Sequence, residues 1–260
     1  MQVDDPDRDL TGQDLHALGY GSDMARRILA LLEEKDLLEH YCVRSIKADC
    51  TYLSRISAGY PDALRRKLGD DSPGVLWAKG DLSLLTMPKI ALVGSRDLLP
   101  ENRAFAEEVG RQAALQGYVL VSGNARGADK TAQEACLAAG GKVISVVADR
   151  LDSHGMRQNV LYLSEDGFDQ EFSAQRAISR NRVIHALSSK TFVSQCTEES
   201  GGTWDGTVKN LKAGWSSVYC FRDGSAAFRR LRDMGAVPVE KQQLSDFSQL
   251  QASQHLFSIK

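Results

Sequence analysis

The sequence predicts an α/β fold: a Rossmann-like parallel sheet with helices on both faces, preceded by a small helical N-terminal module. From about residue 87 onward, strand-length runs that are apolar throughout alternate with helical stretches. Such strands are typical of a parallel sheet that is covered on both faces. Loops rich in Gly, Ser and Arg follow these strands and precede the helices, as in folds that bind phosphate at helix N-termini.

Residues 1–45 are expected to form the helical module, in which Ser22 and Asp23 can cap a helix. The apolar residues of that helix recur at helical spacing: Ala25, Ile28, Leu29 and Leu32. Residues 46–86 are expected to connect the module to the main domain, because Pro and Gly interrupt their short apolar pieces. We place the boundary near Thr86.

Residues 87–240 are expected to form the Rossmann-like domain. Its predicted strands lie at 89–93, 118–122, 143–148, 191–195, 217–221 and 236–239. Its predicted helices contain Phe105 to Ala113, Ala132 to Ala139, 203–212 and 226–234. Residues 241–260 are rich in Gln and Ser and are expected to form a loosely held tail, although Leu250, Leu256 and Phe257 could dock as a short helix.

Composition and charge restrict the class of protein. Hydrophobic residues at 42% and charged residues at 25% are ordinary values for soluble globular proteins. No apolar stretch approaches the roughly 18 residues of a membrane helix, and the acidic start lacks a secretory signal, so we expect a cytoplasmic protein with no membrane partner. The net charge of −2 argues against coating of nucleic acid by the whole surface but allows a local basic groove.

The sequence contains none of the motifs that we would expect for a common cofactor, a zinc site or a catalytic triad. The five cysteines are widely spaced with no CxxC motif, so we interpret them as reduced thiols without zinc. No GxGxxG follows the first strand, and no Walker A motif occurs. The five histidines are scattered, with no Ser-His-Asp or Cys-His set. We therefore predict no cofactor, no metal site and no catalytic residue.

The first two loops carry donors suited to phosphate. Gly94 allows close backbone approach, Ser95 supplies a hydroxyl and Arg96 a guanidinium, although the same residues also suit a plain turn. The second loop, Ser122–Asp129, opens a helix and combines small residues with an arginine and an acid. We interpret Arg126 as a phosphate ligand, and Asp129 either as part of that site or as the N-cap of the helix.

The third and fourth loops also favour anion binding. Arg176, Arg180 and Arg182 lie at the start of a predicted amphipathic helix, where positive charge opposes the helix dipole unless an anion compensates it; a solvated charged face is the alternative. The loop Glu198–Thr207 is rich in Gly, Ser and Thr, as expected for backbone donation to an anion, and its acids could instead orient a ribose or a base. Trp204 is the only aromatic residue within these loops.

The strand-end loops therefore predict one phosphate-binding edge, on which Arg96, Arg126, Arg180 and Arg182 should converge. The residues expected to bind DNA or phosphate are Gly94, Ser95, Arg96, Ser122, Gly123, Arg126, Gly127, Asp129, Arg180, Asn181, Arg182, Ser200, Gly201, Gly202 and Thr203.

At these loops the sequence resembles the DprA/Smf family of DNA-processing proteins. The matching stretches are Val93–Arg96, Ser122–Asp129, Gly140–Gly141, Arg180–Ser188 and Ser200–Thr207, with Gly59–Leu64 and Pro73–Gly80 upstream. The resemblance implies a Rossmann-like fold, single-stranded DNA binding, loading of a RecA-type recombinase and a homodimer. The sequence departs from the family pattern at Gln133, where His is usual, in the loop Asp149–Gly167, and at Trp204 and Asp205. We also expect no C-terminal winged helix.

Three functions remain open, and we rank them in this order. The first is a single-stranded DNA-binding protein of DNA processing and recombination, not an enzyme. The second is a nucleotide-binding sensor of the same fold, for example in phage defence. The third is a nucleotide phosphoribohydrolase of the Lonely Guy type, an N-glycosidase; the stretch Glu199–Thr207 shares the two glycines of that family's PGGxGTxxE loop but neither its proline nor its glutamate.

Overall fold

The computed structural model of the protein describes residues 9–253. The chain divides into two compact units, Met1–Ala48 and Asp49–Lys260. Leu256 and Phe257, which could dock as part of a short helix according to the sequence, lie outside the described residues.

The first unit is helical. Its helices are α1 (Gly12–Ala17), α2 (Ser22–Glu33) and α3 (Lys35–Lys47). Thr11 caps α1 and forms a capping box with Asp14, which satisfies two backbone N–H groups at the helix start. The N-cap of α2 is Gly21, without a side-chain cap, so Ser22 and Asp23 lie inside the helix instead of capping it.

The second unit contains one sheet with helices on both faces. The strands of its described residues are β1 (Thr51–Ser54), β2 (Val75–Gly80), β3 (Lys89–Val93), β4 (Val119–Ser122), β5 (Lys142–Val146), β6 (Val160–Ser164), β7 (Lys190–Val193), β8 (Ser217–Phe221) and β9 (Val237–Val239). The helices are α4 (Asp62–Leu68), α5 (Pro100–Leu115), α6 (Ala128–Ala138), α7 (Ala174–Ser179), α8 (Asn181–Leu187), α9 (Gly201–Ala213) and α10 (Ala226–Asp233). The expected α/β class is confirmed.

The strand order of the sheet is β1-β2-β6-β5-β4-β3-β7-β8-β9. All neighbours from β6 to β9 run parallel, whereas β2 is antiparallel to β1 and to β6. Strand β3 is the middle one of the seven parallel strands, and its Ile90 pairs with Leu120 of β4 on one side and with Lys190 of β7 on the other. The chain moves outward from β3 to β6 and then returns to the other side of β3 with β7.

The segment 46–86, expected to connect two domains, is instead part of the sheet. It contributes β1 and β2, and the Leu76 and Ala78 side chains of β2 are fully buried. Gly59, Pro61, Pro73 and Gly74 lie between the two strands, and such residues are typical of a connecting segment. Strand β6, in a stretch that we expected to be loop, pairs in parallel with β5 because its apolar residues fill the next position in the sheet.

A separate hydrophobic core lies on each face of the sheet. Along β3, Ala91 and Val93 point into one core and Ile90 and Leu92 into the other, as the two-residue period of a strand requires. Helices α4, α8, α9 and α10 cover the first face, and α5 and α6 cover the second. None of the helices within residues 9–253 is long and apolar enough to cross a membrane.

The segment after β9 is packed rather than loose as far as the structure describes it. Two short 3-10 turns, Lys241–Ser245 and Phe247–Gln249, follow the strand. Leu244 and Phe247 are fully buried, and the Phe247 amide donates to Gln116 Oε1 of the loop after α5 at 2.7 Å. Apolar burial therefore holds the part of the tail up to residue 253 on the second face of the sheet.

Candidate functional site

A central cleft lies where the strand order reverses, between β3 and β7. In open α/β sheets this switch point is the place where loops diverge and ligands bind. The cleft has a volume of about 430 Å³. The predicted site residues that line it come from all four loops: Gly94, Ser95, Arg96, Asp129, Arg180, Asn181, Ser200, Gly201, Gly202 and Thr203.

The loop after β3 is tied to the loop after β7. The Ser95 amide donates to the Gln195 carbonyl at 2.8 Å, and the Thr203 hydroxyl donates to the Gly94 carbonyl at 3.0 Å. A Cβ atom at Gly94 would overlap the Ser194 hydroxyl, so this position requires glycine. The two loops therefore form one wall of the central cleft with a fixed separation.

Asp129 anchors the loop after β4 and does not cap the following helix. Helix α6 begins at Ala128 and its N-cap is Gly127. The Asp129 carboxylate accepts hydrogen bonds from the backbone amides of Gly123 at 3.1 Å and Ala125 at 3.2 Å. Burial raises the pKa of Asp129, and the nearby Arg180 guanidinium acts in the opposite direction.

Arg180 lies under the same loop and is only 7% exposed. Its Nη2 donates to the Gly123 carbonyl at 3.0 Å and its Nη1 to Asn181 Oδ1 at 3.1 Å. The single helix that we expected around this residue is broken at Arg180 into α7 and α8. Burial lowers the pKa of Arg180, and the Asp129 carboxylate raises it. Its Nε has no hydrogen-bond partner among the described residues.

The loop before α9 completes the central cleft. Asn181 donates through its side-chain amide to the Gly202 carbonyl at 2.9 Å, which links the third loop to the fourth. Gly201, with φ of +84°, begins the 13-residue helix α9, whose first amides have no partner within the helix. This helix end favours an anion in the cleft. Trp204 is buried at 7% exposure and packs into the core, so it does not face the cleft.

The predicted convergence of four arginines holds for only part of the set. Arg182 ion-pairs with the buried Glu165 at 2.9 Å and donates to the Asp71 carbonyl, away from the central cleft. Arg176 donates to the carbonyls of Ala148 and Gln170 and stabilises loops beyond β5 and β6. These two side chains have structural partners, which a count of charges in the sequence does not show.

Arg96 and Arg126 are the exposed arginines of the predicted set. Both line a basic depression of about 420 Å³, which we define by the cations Arg96, Arg103, Arg126 and Lys130. Gly127, whose φ is +85°, also lines it, and a Cβ there would overlap neighbouring backbone carbonyls. Arg126 is 74% exposed and pairs with Asp97 at 2.7 Å, whereas Arg96 makes no side-chain hydrogen bond or ion pair with residues 9–253.

An aromatic depression of about 320 Å³ adjoins both sites; we name it after Phe172, which lines it. It shares Arg96 with both of them and Arg126 with the basic depression. Asn124 and Asp149 also line it. These three residues and the cations Arg103 and Lys130 were not among the predicted site residues. Asp149 directly follows a predicted strand and Lys130 follows Asp129, so the strand-end rule could have found both.

Ser122 and Gly123, at the end of β4, contact residues that hold the loops of the site in place. Ser122 is fully buried, and its hydroxyl accepts a hydrogen bond from the Gln133 side-chain amide. A Cβ atom at Gly123 would overlap the Arg180 guanidinium, so a larger residue there would displace that side chain. Ser200 is the N-cap of α9 but makes no side-chain cap hydrogen bond. Gln133 occupies the position at which the DprA/Smf family usually has His. Through its hydrogen bond to Ser122, it anchors the last residue of β4.

Two groups that line the cleft, His185 and Cys196, have pKa values shifted far from their usual range by burial. Burial lowers the pKa of His185 to about 3, so its imidazole is neutral at pH 7. Burial raises the pKa of the Cys196 thiol to about 12, so it is not a thiolate at that pH. Within residues 9–253 there is no group of three or more His, Cys, Asp or Glu side chains that could hold a metal ion.

Comparison with known proteins identifies similar sequences. The model of the family described as DNA recombination-mediator protein A matches residues 51–211, from β1 into α9. The DNA processing protein DprA of Streptococcus pneumoniae (strain ATCC BAA-255 / R6) is 35% identical over 141 residues, which cover 50% of this chain and 50% of that protein. The protein of the same name from Bacillus subtilis (strain 168) is 32% identical over 143 residues, covering 50% and 48%. The chain spans about half the length of these relatives.

Two solved structures are also similar. The X-ray structure of DprA from Streptococcus pneumoniae has a TM-score of 0.77 and 26% identity, covering 94% of this chain and 88% of that one. A structure of DNA processing protein A from Helicobacter pylori, described in terms of its single-stranded DNA binding mode, has a TM-score of 0.64 and 26% identity, covering 75% and 94%.

Proposed function

Because the chain belongs to the DNA recombination-mediator protein A family, which includes the DprA and Smf proteins, we propose that it acts in DNA processing by binding single-stranded DNA. The proposed interface is the carboxyl edge of the sheet, formed by the central cleft and the basic depression. Backbone phosphates would contact the exposed cations, and the glycine and serine amides of the loops would donate to the remaining oxygens.

The observation that carries the proposal is the position of Arg96. This guanidinium lines the central cleft, the basic depression and the aromatic depression, and it has no partner among residues 9–253. An exposed cation without a carboxylate partner is available to phosphate without first breaking an ion pair. Arg126 has a partner, Asp97, but both side chains are largely exposed, and such a pair costs little to open.

The buried residues have a different role in this proposal. Asp129 and Arg180 hold the loop after β4 in place, while Asn181 positions the start of α9. A preformed set of donors loses less conformational entropy when a strand binds. We therefore assign phosphate contact to the exposed cations and positioning to the buried pair.

We include two partners in the proposal on the basis of the family resemblance. One is a RecA-type recombinase, which the bound protein would load onto the single strand. The other is a second copy of the chain in a homodimer. Size-exclusion chromatography with light scattering tests the dimer, and strand-exchange assays with and without the protein test the loading.

A fluorescence anisotropy titration tests DNA binding directly. Labelled oligo(dT) should bind with a slope of log K against log salt near −3, which corresponds to about four phosphates neutralised on a single strand. The Arg96→Ala variant should reduce the magnitude of the slope by about 0.7, because one phosphate contact is lost. The matched control is Arg230→Ala, which removes an exposed arginine on α10 that lines none of the three depressions.

A salt-independent affinity, or the same slope for Arg96→Ala as for Arg230→Ala, would contradict the proposal. Competition with mononucleotides and with duplex DNA separates the alternatives. Preference for a mononucleotide over the oligonucleotide would select a nucleotide sensor. Release of free base from a nucleotide panel would select a phosphoribohydrolase.

A further inference from the structure

Two lysines begin neighbouring parts of the sheet at its amino edge, opposite the edge that carries the predicted site. Lys89 is the first residue of β3 and Lys142 is the first residue of β5. They flank Val119 of β4 in the register of the sheet, so their Cα atoms lie about 10 Å apart. Ala91 and Ile144, two residues further along the same strands, belong to the core of the first face. Both lysine side chains therefore lie on that face.

The two ammonium groups converge on one residue, Met87. Lys89 Nζ donates to the Met87 carbonyl at 2.6 Å and to the Leu85 carbonyl at 2.8 Å. Lys142 Nζ lies 3.4 Å from Met87 Sδ, and a thioether sulfur is only a weak acceptor. Lys142 makes no other hydrogen bond or ion pair with residues 9–253. Its ammonium group therefore keeps donors for which the described residues supply no strong acceptor.

Lys67 adds a third positive charge beside Lys89. It lies in the last turn of α4, and its Nζ donates to the Ser188 carbonyl at 2.7 Å. Burial lowers the pKa of the Lys67 ammonium to about 8, and the positive charges of Arg66 and Lys89 act in the same direction. Burial also lowers the pKa of Lys89. We call Lys67, Lys89 and Lys142 the amino-edge cluster.

No carboxylate within residues 9–253 forms an ion pair with the amino-edge cluster. The charge of Lys142 acts on Asp81, but the carboxylate of Asp81 accepts from the Ser83 amide at 2.8 Å and caps a 3-10 turn instead. Ser188, which accepts from Lys67, also carries a fully buried hydroxyl without a hydrogen-bond partner among the described residues. Partly buried like charges without a counter-charge destabilise a fold, and a bound anion removes that cost.

We propose that the amino-edge cluster binds a phosphate group of a small phosphorylated ligand. An ammonium group is a point charge that binds phosphate from any direction, and a phosphate offers several acceptor oxygens. Lys89 and Lys142 can therefore contact one phosphate from the two sides of Met87. Their convergence on a single residue favours a small ligand over a DNA strand, which requires a groove of cations along several nucleotides. The inference does not depend on the proposed binding of DNA.

NMR spectroscopy of protein labelled at its methionine methyl groups tests the site directly. Because Met87 Sδ lies beside Lys142 Nζ, the Met87 methyl resonance reports on the cluster and not on the central cleft. The resonance is assigned by its loss in Met87→Leu. Titration with inorganic pyrophosphate should displace it in a saturable manner, and sodium chloride at equal ionic strength should not. The exposed Met24 and Met156 are internal controls whose resonances should stay in place.

Substitutions at Lys142 measure the contribution of one ammonium group. Lys142→Gln should weaken pyrophosphate binding roughly 12- to 150-fold, the value of one hydrogen bond to a charged group. Lys142→Arg keeps the charge and should retain most of the affinity. Lys209→Gln removes an exposed lysine of α9 outside the cluster and should change the affinity less than about twofold. Since Lys142 Nζ contacts only a thioether, we expect unchanged thermal unfolding for its variants.

The outcomes also separate this site from the carboxyl edge of the sheet. Equal affinities of Lys142→Gln and Lys209→Gln, or an equal displacement of the Met87 resonance by sodium chloride, would overturn the phosphate site. Loss of the Met87 response in Arg96→Ala would overturn it as well, because the effect would then originate at the other edge. Displacement by oligo(dT) as strong as that by pyrophosphate would overturn the assignment to a small ligand. A failure of DNA binding alone contradicts only the proposed function.

Discussion

Replacing Asp129 with Ala should destabilise the protein although the residue lies in a loop-to-helix junction at the surface of the sheet. In the folded protein its carboxylate accepts hydrogen bonds from two backbone amides, those of Gly123 and Ala125. It is also the acidic group that acts most strongly on the buried Arg180. The substitution removes all of these interactions at once.

The size of the effect follows from the burial of the groups left behind. The Gly123 amide is buried, and leaving such a donor without a partner costs about 1–3 kcal/mol; the second amide, which is partly buried, costs about 1 kcal/mol. We therefore expect Asp129→Ala to lower the free energy of unfolding by about 3 kcal/mol. Asp129→Asn keeps an acceptor oxygen and should recover about half of that loss.

Urea denaturation at pH 7 measures both variants, with the m-value checked so that the midpoint shift reports stability. The matched control is Asp97→Ala, since Asp97 accepts from Arg126 in a pair that is 84% and 74% exposed. That control should change the unfolding free energy by no more than about 0.5 kcal/mol. An unfolding free energy for Asp129→Ala within 0.5 kcal/mol of the unaltered protein, that is, within the range of the control, would refute the role of Asp129 as the anchor of the loop.

Three further predictions concern positions outside the exposed cations. Gly127→Ala should lower the unfolding free energy by about 2 kcal/mol or more, because its φ is +85° and the Cβ would overlap backbone carbonyls. The control is Gly140→Ala, whose φ is +77° but whose Cβ would lie in open space, and it should lower the unfolding free energy by about 1 kcal/mol. Urea denaturation measures both variants. Arg182→Ala should lower the unfolding free energy by about 3 kcal/mol, because it leaves Glu165, whose side chain is 4% exposed, without its ion-pair partner. The slope of log K against log salt for DNA binding should stay the same. A reduced slope would contradict the structural role of Arg182. Burial lowers the pKa of His185 from 6.5 to about 3, so its imidazole takes up a proton at a higher pH in the unfolded chain than in the folded protein. Its contribution to stability is therefore complete above about pH 6.5, and the free energy of unfolding should fall by about 4 kcal/mol as the pH decreases to about 3. His185→Gln should show a shallower decline in unfolding free energy over the same range.

The parts of the fold that the sequence predicts are those in which local pattern and tertiary position agree. Strand β3 is an apolar run followed by glycine, and its residues face a core on each side of the sheet. Strands β1 and β2 are separated by a segment with Pro and Gly, so nothing local indicates that β1 pairs with β2 or that β2 pairs with β6. That pairing depends on contacts between residues such as Trp77 and Ser164, which are 87 positions apart.

The candidate site shows the same division. Gly94 and Gly201 could be predicted from their place between a strand and a helix, and both line the central cleft. Phe172 could not, because its loop carries no strand-end motif and its exposure follows from how that loop packs. The break at Arg180 between α7 and α8 was also beyond the sequence pattern, since an arginine can lie inside a helix at little cost.

The arginines at this edge of the sheet divide according to what their guanidinium groups can reach. Arg176, Arg180 and Arg182 each donate to at least one buried or partly buried backbone carbonyl: those of Ala148, Gly123 and Ser179, respectively. A guanidinium that satisfies a buried carbonyl is held in place and is not released to a ligand without leaving that carbonyl unpaired. Arg96 reaches no such acceptor among the described residues. An arginine at this edge therefore stabilises a loop where a backbone carbonyl lies within its reach, and it remains available to phosphate where none does. The positions of the carbonyls determine which of the two roles each arginine has.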